Sequence, residues 1–189
     1  GPVATPQLPP KLGRVEQITV SYGHGLAVAP IQFAAAVASL INGGTAVSPT
    51  FVSGHANGAD RARVVKAETS RDLNVLLRRT VGEPNGTGRR ADVPGYRVGG
   101  KTGTAELPGR GGYQKKAVIS SFLGAFPMDD PQYLTLILLF EPSGTEETGG
   151  EILAGRNAAP TAGRLISRIA PLLGVKPERD IALLRTDAP

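Results

Sequence analysis

Residues 98–106 read VGGKTGTAE, and this stretch decides how the rest of the chain is interpreted. A lysine and two threonines stand among three glycines in a segment that otherwise has the character of a β-strand. Glycine weakens the packing of a strand and often marks a place where a ligand or another backbone approaches closely. The stretch therefore poses one question, whether its glycines mark a turn or a close approach.

On a strand, successive side chains point to opposite faces. Lys101 and Gly103 then share one face, and Thr102 and Thr104 share the other. The two threonine hydroxyls would lie about 7 Å apart, which suits binding a carboxylate or an extended peptide backbone. An edge position would let a peptide add as another strand. The alternative is a solvent-exposed hairpin with a lone lysine, in which the glycines serve only the twist of the strands. The triplet KTG alone, three common residues, favours that alternative.

The composition is that of a globular protein, with 40% hydrophobic and 20% charged residues among 189. The formal net charge of +5 is carried mostly by scattered arginines. Only 5% of the residues are aromatic and tryptophan is absent, so nucleic-acid binding is not expected. The chain has no cysteine, which excludes disulfides and thiolate zinc sites within it. No apolar run approaches the roughly 20 residues of a membrane-spanning helix.

Three helices are predicted around the strands. One begins at Pro30 and ends at the Gly43-Gly44 pair, because proline favours the first helical position and glycine the C-terminal cap. The second covers 64–82, with Thr69 or Ser70 as its cap, and the last covers 158–174. The segment 16–25 is apolar enough for either a strand or the start of a helix, and 45–52 resembles a strand.

The strands are predicted at 96–106, 117–126 and 133–142, joined by turns at 106–116 and 127–132. Short connections between consecutive strands predict a three-stranded antiparallel meander, packed by the C-terminal helix, in an α+β fold. The run LTLILLF at 134–140 is apolar at both parities, which is typical of a central strand buried on both faces.

Three parts are expected along the chain. Residues 1–13 hold four prolines and no periodicity, and are expected to be an extended linker or the remnant of a purification tag. Residues 14–174 form the globular part. Residues 175–189 form a tail that is poorly anchored apart from the sequence IALL.

The longer string GYRVGGKTGTAE resembles the KTG strand of penicillin-binding proteins, the serine D,D-transpeptidases of peptidoglycan synthesis. The flanking sequences look closer to class B, the monofunctional transpeptidases, than to class A or to β-lactamases. The similarity covers roughly residues 14–174. Four further stretches agree with the family in order and spacing: ITVSYGHGLAVAPIQFAAAVASLINGG, GTGRRADVPGYRVGGKTGTAE, SSFLGAFPMDDPQYLTLILLFEP and TGGEILAGRNAAPTAGRLI.

The resemblance implies a role for each residue of the motif. Lys101 would hydrogen-bond the serine of the family's second motif, and Thr102 with Thr104 would hold the carboxylate of a terminal D-alanine or of penicillin. The backbone N–H of Thr104 would be an oxyanion donor, worth roughly 3–4 kcal/mol of barrier. Gly103 completes the substrate-binding set. The meander would be part of the family's five-stranded sheet, and neither a cofactor nor a metal is implied.

Two of the family's three motifs do not occur in this chain. None of its serines has a lysine three residues later, so the S-x-x-K nucleophile is absent, and so is S-x-N. Ser70-Arg71-Asp72 is a little like the second motif, but helix capping is the favoured interpretation. The chain is therefore expected to be the C-terminal part of a transpeptidase domain, inactive alone, with an apolar patch exposed where the rest of the domain would pack.

The resemblance also implies partners and a location. The partners would be peptidoglycan stem peptides, β-lactam antibiotics, the missing N-terminal part of the domain and a lipid-linked glycosyltransferase of the wall machinery. The parent would be anchored in the cytoplasmic membrane with this domain periplasmic or extracytoplasmic. Two other functions stay open: a non-catalytic module that binds a peptide or partner along the cleft strand, and a β-lactamase-like serine hydrolase.

Other candidate sites have less support. His24 and His55 are far apart in the sequence with no carboxylate cluster nearby, so a metal site is not expected. GTGRR at 86–90 has glycines that could cradle a phosphate, but no strand-to-helix context follows it. Asp129-Asp130 is explained by turn chemistry.

Overall fold

The computed structural model describes residues 4–23, 25–52, 62–109 and 112–178. In chain order the elements are α1 (Arg14–Ser21), α2 (Pro30–Ile41), α3 (Ala67–Gly82), a short 3-10 helix (Arg89–Ala91), β1 (Gly99–Gly109), β2 (Gly112–Phe126), β3 (Tyr133–Phe140) and α4 (Ala158–Leu172). The three strands form one antiparallel sheet in the order β1-β2-β3. The predicted α+β meander is confirmed.

Strands β1 and β2 continue into the region 106–116, which the sequence predicted to be a turn. Backbone pairing continues to Gly109 opposite Gly112, after a register irregularity between Glu106 and Pro108. The glycines that suggested a long turn therefore lie mostly within the paired strands.

The prediction that 134–140 is a central strand is wrong for the described sheet, in which β2 is central and β3 lies at an edge. Its side chains are nevertheless half-buried along most of its length. Helix α4 packs against β3, and so does α2, which contacts the cluster on the opposite face of the sheet. Helices on both faces explain why the strand is apolar at both parities.

The core lies on the two faces of the sheet. The larger cluster joins α4 to β2 and includes Phe122, Phe126 and Ile166, each 0% exposed. The smaller cluster is built on Ile41, Ala125 and Met128, with α2 and α3 packed against it. Together they sandwich the β-hairpin between helices.

The glycines that open β1 make room for both clusters. A Cβ on Gly99 would lie 2.5 Å from Met128 Sδ and 3.0 Å from the backbone N of Arg78 in α3. A Cβ on Gly100 would lie 2.5 Å from Cζ of the Phe122 ring on the other face. These two glycines therefore mark a close approach of the protein's own core, not a turn.

Local details of three other segments differ from the sequence predictions. Helix α1 occupies part of the segment that the sequence left open between strand and helix, so three helices accompany α4 where two were expected. Helix α3 begins at Ala67 after an extended Lys66, so neither Thr69 nor Ser70 is its cap. Residues 45–52 contribute only a single bridge, from Thr45 to Arg63, and no strand.

The two ends of the described chain are held by backbone contacts. Gln7 exchanges backbone hydrogen bonds of 2.8 and 3.0 Å with Ala27. At the other end Val175 packs against the larger cluster, and the N–H of Glu178 donates to Gly95 O at 2.8 Å. The sequence IALL lies outside the described residues.

Candidate functional site

Thr102 and Thr104 face a cavity of about 550 Å³ beside β1. Its walls are the loop that precedes and includes the 3-10 helix, from Pro84 to Arg90, and the loop that precedes α4, from Leu153 to Arg156. The strand alternation predicted from the sequence thus brings the two hydroxyls to one opening.

The hydroxyl of Thr104 is held in a defined hydrogen-bonding role. Its Oγ1 accepts from the backbone N–H of Ala154 at 3.3 Å. A hydroxyl has one proton to donate and lone pairs to accept. Because Ala154 occupies an acceptor position, the proton of the exposed Thr104 hydroxyl is available to donate to a ligand. Thr102 Oγ1 lies 3.3 Å from the hydroxyl of Thr87 across the cavity.

The cavity carries positive charge. Arg89, Arg90 and Arg156 line it, all three are exposed, and no acidic residue is among its described lining. Arg89 donates to Pro84 O at 3.2 Å. A cleft lined by one sign of charge attracts ligands of the opposite sign. Two ligand-facing hydroxyls beside three guanidinium groups are therefore suited to an anionic group such as a carboxylate.

Lys101 lies on the other face of β1, as the alternation predicts. Its side chain is exposed, and its amine donates to the carbonyl oxygen of Thr102 at 2.6 Å. It borders a separate, mostly apolar cavity of about 260 Å³ between α2, α3 and the sheet. Gly103 lines the same cavity, and its carbonyl accepts from Ser121 Oγ at 3.0 Å. Lys101 and Thr104 thus line different cavities, and Thr102 lies between them and lines both.

Strand β1 is an edge strand of the described sheet. Along it a third cavity, of about 780 Å³, separates Thr104, Ala105 and Glu106 from the N-terminal segment around Gln7 and Tyr22. The edge position that would let a peptide add as another strand is therefore present in the described sheet.

The N-terminal segment, in which Leu8 borders this cavity, carries exposed apolar side chains. Helix α1 has no buried residue, and Val15 and Ile18 are 68% and 60% exposed. Leu8 and Leu12, in the segment before it, are 66% and 56% exposed. These four side chains are exposed, and the predicted apolar patch, where the rest of the domain would pack, stays a prediction.

Several residues at the site were not singled out from the sequence. The phosphate-cradle candidate GTGRR instead contributes Thr87 and two arginines to the cavity beside the threonine pair. Ala154 left no local signal, because it contacts Thr104 through its backbone N–H. Asn157 stands directly before the predicted helix 158–174, where asparagine is a favoured N-cap, and that signal could have found it. His24 and His55 lie outside the described residues, and the described residues hold no cluster of His, Asp and Glu suited to a metal ion.

Comparison with known proteins gives the family. The model of the penicillin binding protein transpeptidase domain matches residues 3–163. This chain belongs to that family. It is 38% identical over 181 residues to stage V sporulation protein D of Bacillus subtilis, a match that covers 90% of this chain and 27% of the relative. It is 39% identical over 191 residues to a probable peptidoglycan D,D-transpeptidase FtsI of Caulobacter vibrioides, covering 96% of this chain and 32% of the relative.

A solved structure has the same fold. The transpeptidase domain of Burkholderia pseudomallei penicillin-binding protein 3 superposes with a TM-score of 0.76 at 34% identity, covering 88% of this chain and 49% of that one. These relatives support a class B penicillin-binding protein transpeptidase domain. The chain spans about a quarter to a third of the length of the curated relatives that it matches. In the part of the chain that the structure describes, no helix has the length and apolar character needed to span a bilayer.

Proposed function

We propose that this chain forms the carboxylate-recognition side of the active site of a peptidoglycan D,D-transpeptidase. One observation carries the proposal: Thr102 and Thr104 of the KTG strand face one positively charged cavity, and the Thr104 hydroxyl is held as an acceptor toward the protein. The family and the names of the relatives support the reaction class. The substrate is a stem peptide that ends in D-Ala-D-Ala, and β-lactam antibiotics occupy the same place.

In the proposed reaction a serine attacks the carbonyl carbon of the penultimate D-alanine. The peptide bond breaks, D-alanine leaves with a proton on its amine, and the acyl group stays on the serine as an ester. A neighbouring amine then attacks the ester, forms the cross-link and returns the serine. The serine and its activating lysine are supplied by a segment that this chain does not contain, since no S-x-x-K occurs in it. The chain alone is therefore inactive.

The residues of the KTG strand take distinct roles in this proposal. Thr102 and Thr104 donate hydrogen bonds to the terminal carboxylate, and the backbone N–H of Thr104 stabilises the oxyanion. Lys101 donates to the serine of the family's second motif, which lies outside this chain. Gly103 joins the substrate-binding set through its backbone, because a side chain there would point to the Lys101 face, toward Ser121 Oγ. The three arginines around the cavity favour the anionic end of the peptide.

The proposed setting follows the family. The complete protein is anchored in the cytoplasmic membrane, and this domain works on the periplasmic or extracytoplasmic side. There it meets the rest of its own transpeptidase domain and a glycosyltransferase that elongates the glycan strands from lipid-linked precursors.

The test is acylation of a complete transpeptidase domain that contains this sequence. Thr104→Val removes one hydroxyl and keeps the branched shape. A hydrogen bond to a charged group contributes about 1.5–3 kcal/mol, so the rate of acylation by a penicillin should fall roughly 10- to 100-fold. The methyl ester of the same penicillin has no carboxylate, and its rate should be nearly unchanged. Thr104→Ser, which keeps the hydroxyl, is the matched control.

The outcomes separate the proposed function from its rivals. Equal losses for the acid and the ester in Thr104→Val would contradict carboxylate recognition by this hydroxyl. Rapid turnover of the penicillin would identify a β-lactamase-like hydrolase, and no acylation of any complete domain would favour a peptide-binding module at the open edge of β1. Lys101→Ala should abolish most acylation, and unchanged acylation would refute its role.

A further inference from the structure

A buried polar network lies behind Thr104. Ser120 stands directly opposite Thr104 in the β1–β2 register and is 0% exposed. Its hydroxyl donates to Oδ1 of Asn157, which is itself only 8% exposed. Burying a hydroxyl costs free energy unless it is hydrogen-bonded, and sheet pairing does not require one at this position. The presence of serine here is therefore explained by its bond to Asn157.

Asn157 uses both ends of its amide to hold the loop that precedes α4. Its Oδ1 accepts from the N–H of Ala158 at 2.6 Å and caps the helix. Its Nδ2 donates to the carbonyl of Ile152 at 2.8 Å. The two ends of the loop 152–157 are thus tied to each other and, through Ser120, to the central strand.

The loop in turn holds Thr104. The carbonyl of Ala154 accepts from the N–H of Ala159 in the first turn of α4 at 2.9 Å, and its own N–H donates to Thr104 Oγ1. Ala154 is 1% exposed, so its side chain is also enclosed by the core. Thr104 is therefore linked to Ser120 in two ways: directly, as its partner on the neighbouring strand, and indirectly, through Asn157 and the loop 152–157.

We propose that Ser120 and Asn157 are positioning residues for carboxylate recognition. They fix the loop 152–157 so that the Ala154 N–H occupies an acceptor position of the Thr104 hydroxyl and leaves its proton to donate into the cavity. This inference rests on the proposed function of Thr104 as a carboxylate donor. It predicts a loss that is specific to ligands with a carboxylate, although neither residue lines the cavity.

The experiment compares acylation by a penicillin and by its methyl ester in a complete transpeptidase domain containing this sequence. Ser120→Ala should lower the rate for the acid about fivefold, as expected for one misplaced hydrogen bond, and leave the rate for the ester unchanged. Asn157→Ser retains a good helix cap but is too short to reach Ile152. It should show the same selective loss. In a Thr104→Val background, Ser120→Ala should have no further effect on the ratio of the two rates.

The matched control is Ser70→Ala. Ser70, in α3, is also a buried serine and is 1% exposed. Its hydroxyl accepts from the N–H of Gly43 at 3.0 Å. Its loss should affect stability without changing the ratio of acid to ester rates.

A second measurement uses the 189-residue chain itself. Hydrogen exchange of the Ala154 amide should be about fivefold faster in Ser120→Ala and unchanged in Ser70→Ala, because only the first loosens the loop. Unchanged exchange at Ala154 would overturn the positioning inference, and so would equal losses for acid and ester in Ser120→Ala. A third outcome is that Thr104→Val itself leaves the ratio of acid to ester rates unchanged while Ala154 exchange responds to Ser120→Ala. In that case the proposed function of Thr104 fails, and the inference that Ser120 fixes the loop 152–157 stands.

Discussion

Replacing Gly100 by alanine tests why the strand carrying the KTG triplet is so rich in glycine. Gly100 is buried in β1, directly before Lys101. An added Cβ would meet the carbonyl oxygen of Leu123 and lie 2.5 Å from Cζ of Phe122. The ring of Phe122 cannot retreat easily, because it also lies 2.9 Å from the places where a Cβ would stand on Gly88 and Gly124.

The expected cost follows from this crowding. Overpacking of a filled core costs about 1–3 kcal/mol, and the upper part of that range applies because a backbone oxygen and an enclosed ring must both move. Alanine restricts the unfolded chain more than glycine does, which returns about 0.4–1 kcal/mol. We therefore expect Gly100→Ala to lower the free energy of unfolding by about 2 kcal/mol.

Urea unfolding of the 189-residue chain measures the effect through the midpoint and slope of the transition. The control is Gly13→Ala, because a Cβ there meets only the side chain of Glu16. Gly13 is the N-cap of α1, where alanine is less favourable than glycine, so the control should cost no more than about 1 kcal/mol. Combining Gly100→Ala with Phe122→Leu should cost less than the sum of the two single changes. An unchanged midpoint for Gly100→Ala, or strict additivity in the double variant, would refute the reasoning.

Three further predictions concern α4, α3 and the charged cavity. Ile166→Ala, at a side chain that is 0% exposed, should lower the free energy of unfolding by about 2–5 kcal/mol in thermal melts, whereas exposed Ser167→Ala should change it by less than about 0.5 kcal/mol. Arg78 donates through one nitrogen to a carboxylate at 2.8 Å and to a carbonyl at 2.7 Å. Arg78→Met removes both bonds and should therefore cost roughly 1–2 kcal/mol in urea unfolding, against less than about 0.5 kcal/mol for Arg79→Met in its exposed ion pair. Arg156→Gln in a complete domain should slow acylation by an anionic penicillin at low ionic strength, and the difference should shrink in high salt; a difference independent of salt would contradict an electrostatic role.

The placement of Lys101 on the face of β1 opposite to Thr102 and Thr104 could be predicted from the sequence, because strand alternation is a local geometric rule. The start of α2 could also be predicted, since proline at the first helical position acts within one turn. The support of Thr104 could not. Ala154 lies 50 residues away from it along the chain, and no local pattern specifies which backbone N–H will meet a given hydroxyl.

The position of LTLILLF in the sheet shows the same limit. Its apolar residues at both parities correctly indicated that both faces are covered, but an edge strand covered by two helices has the same pattern as a central strand. Likewise the glycines of VGGKTGTAE indicated a close approach without saying to what. The partners of Gly99 and Gly100 are Met128 and Phe122, which only the folded hairpin brings near.

By itself, the sequence determined the three strands, the helices α2, α3 and α4, the order of the meander and the face on which each residue of the KTG triplet lies, because these follow from short-range periodicity and turn chemistry. Only the tertiary structure decided that the threonine hydroxyls meet three arginines at one cavity, and that Ser120 and Asn157 hold the loop behind Thr104. Those contacts join segments distant in the chain. They exist only when both faces of the sheet are packed.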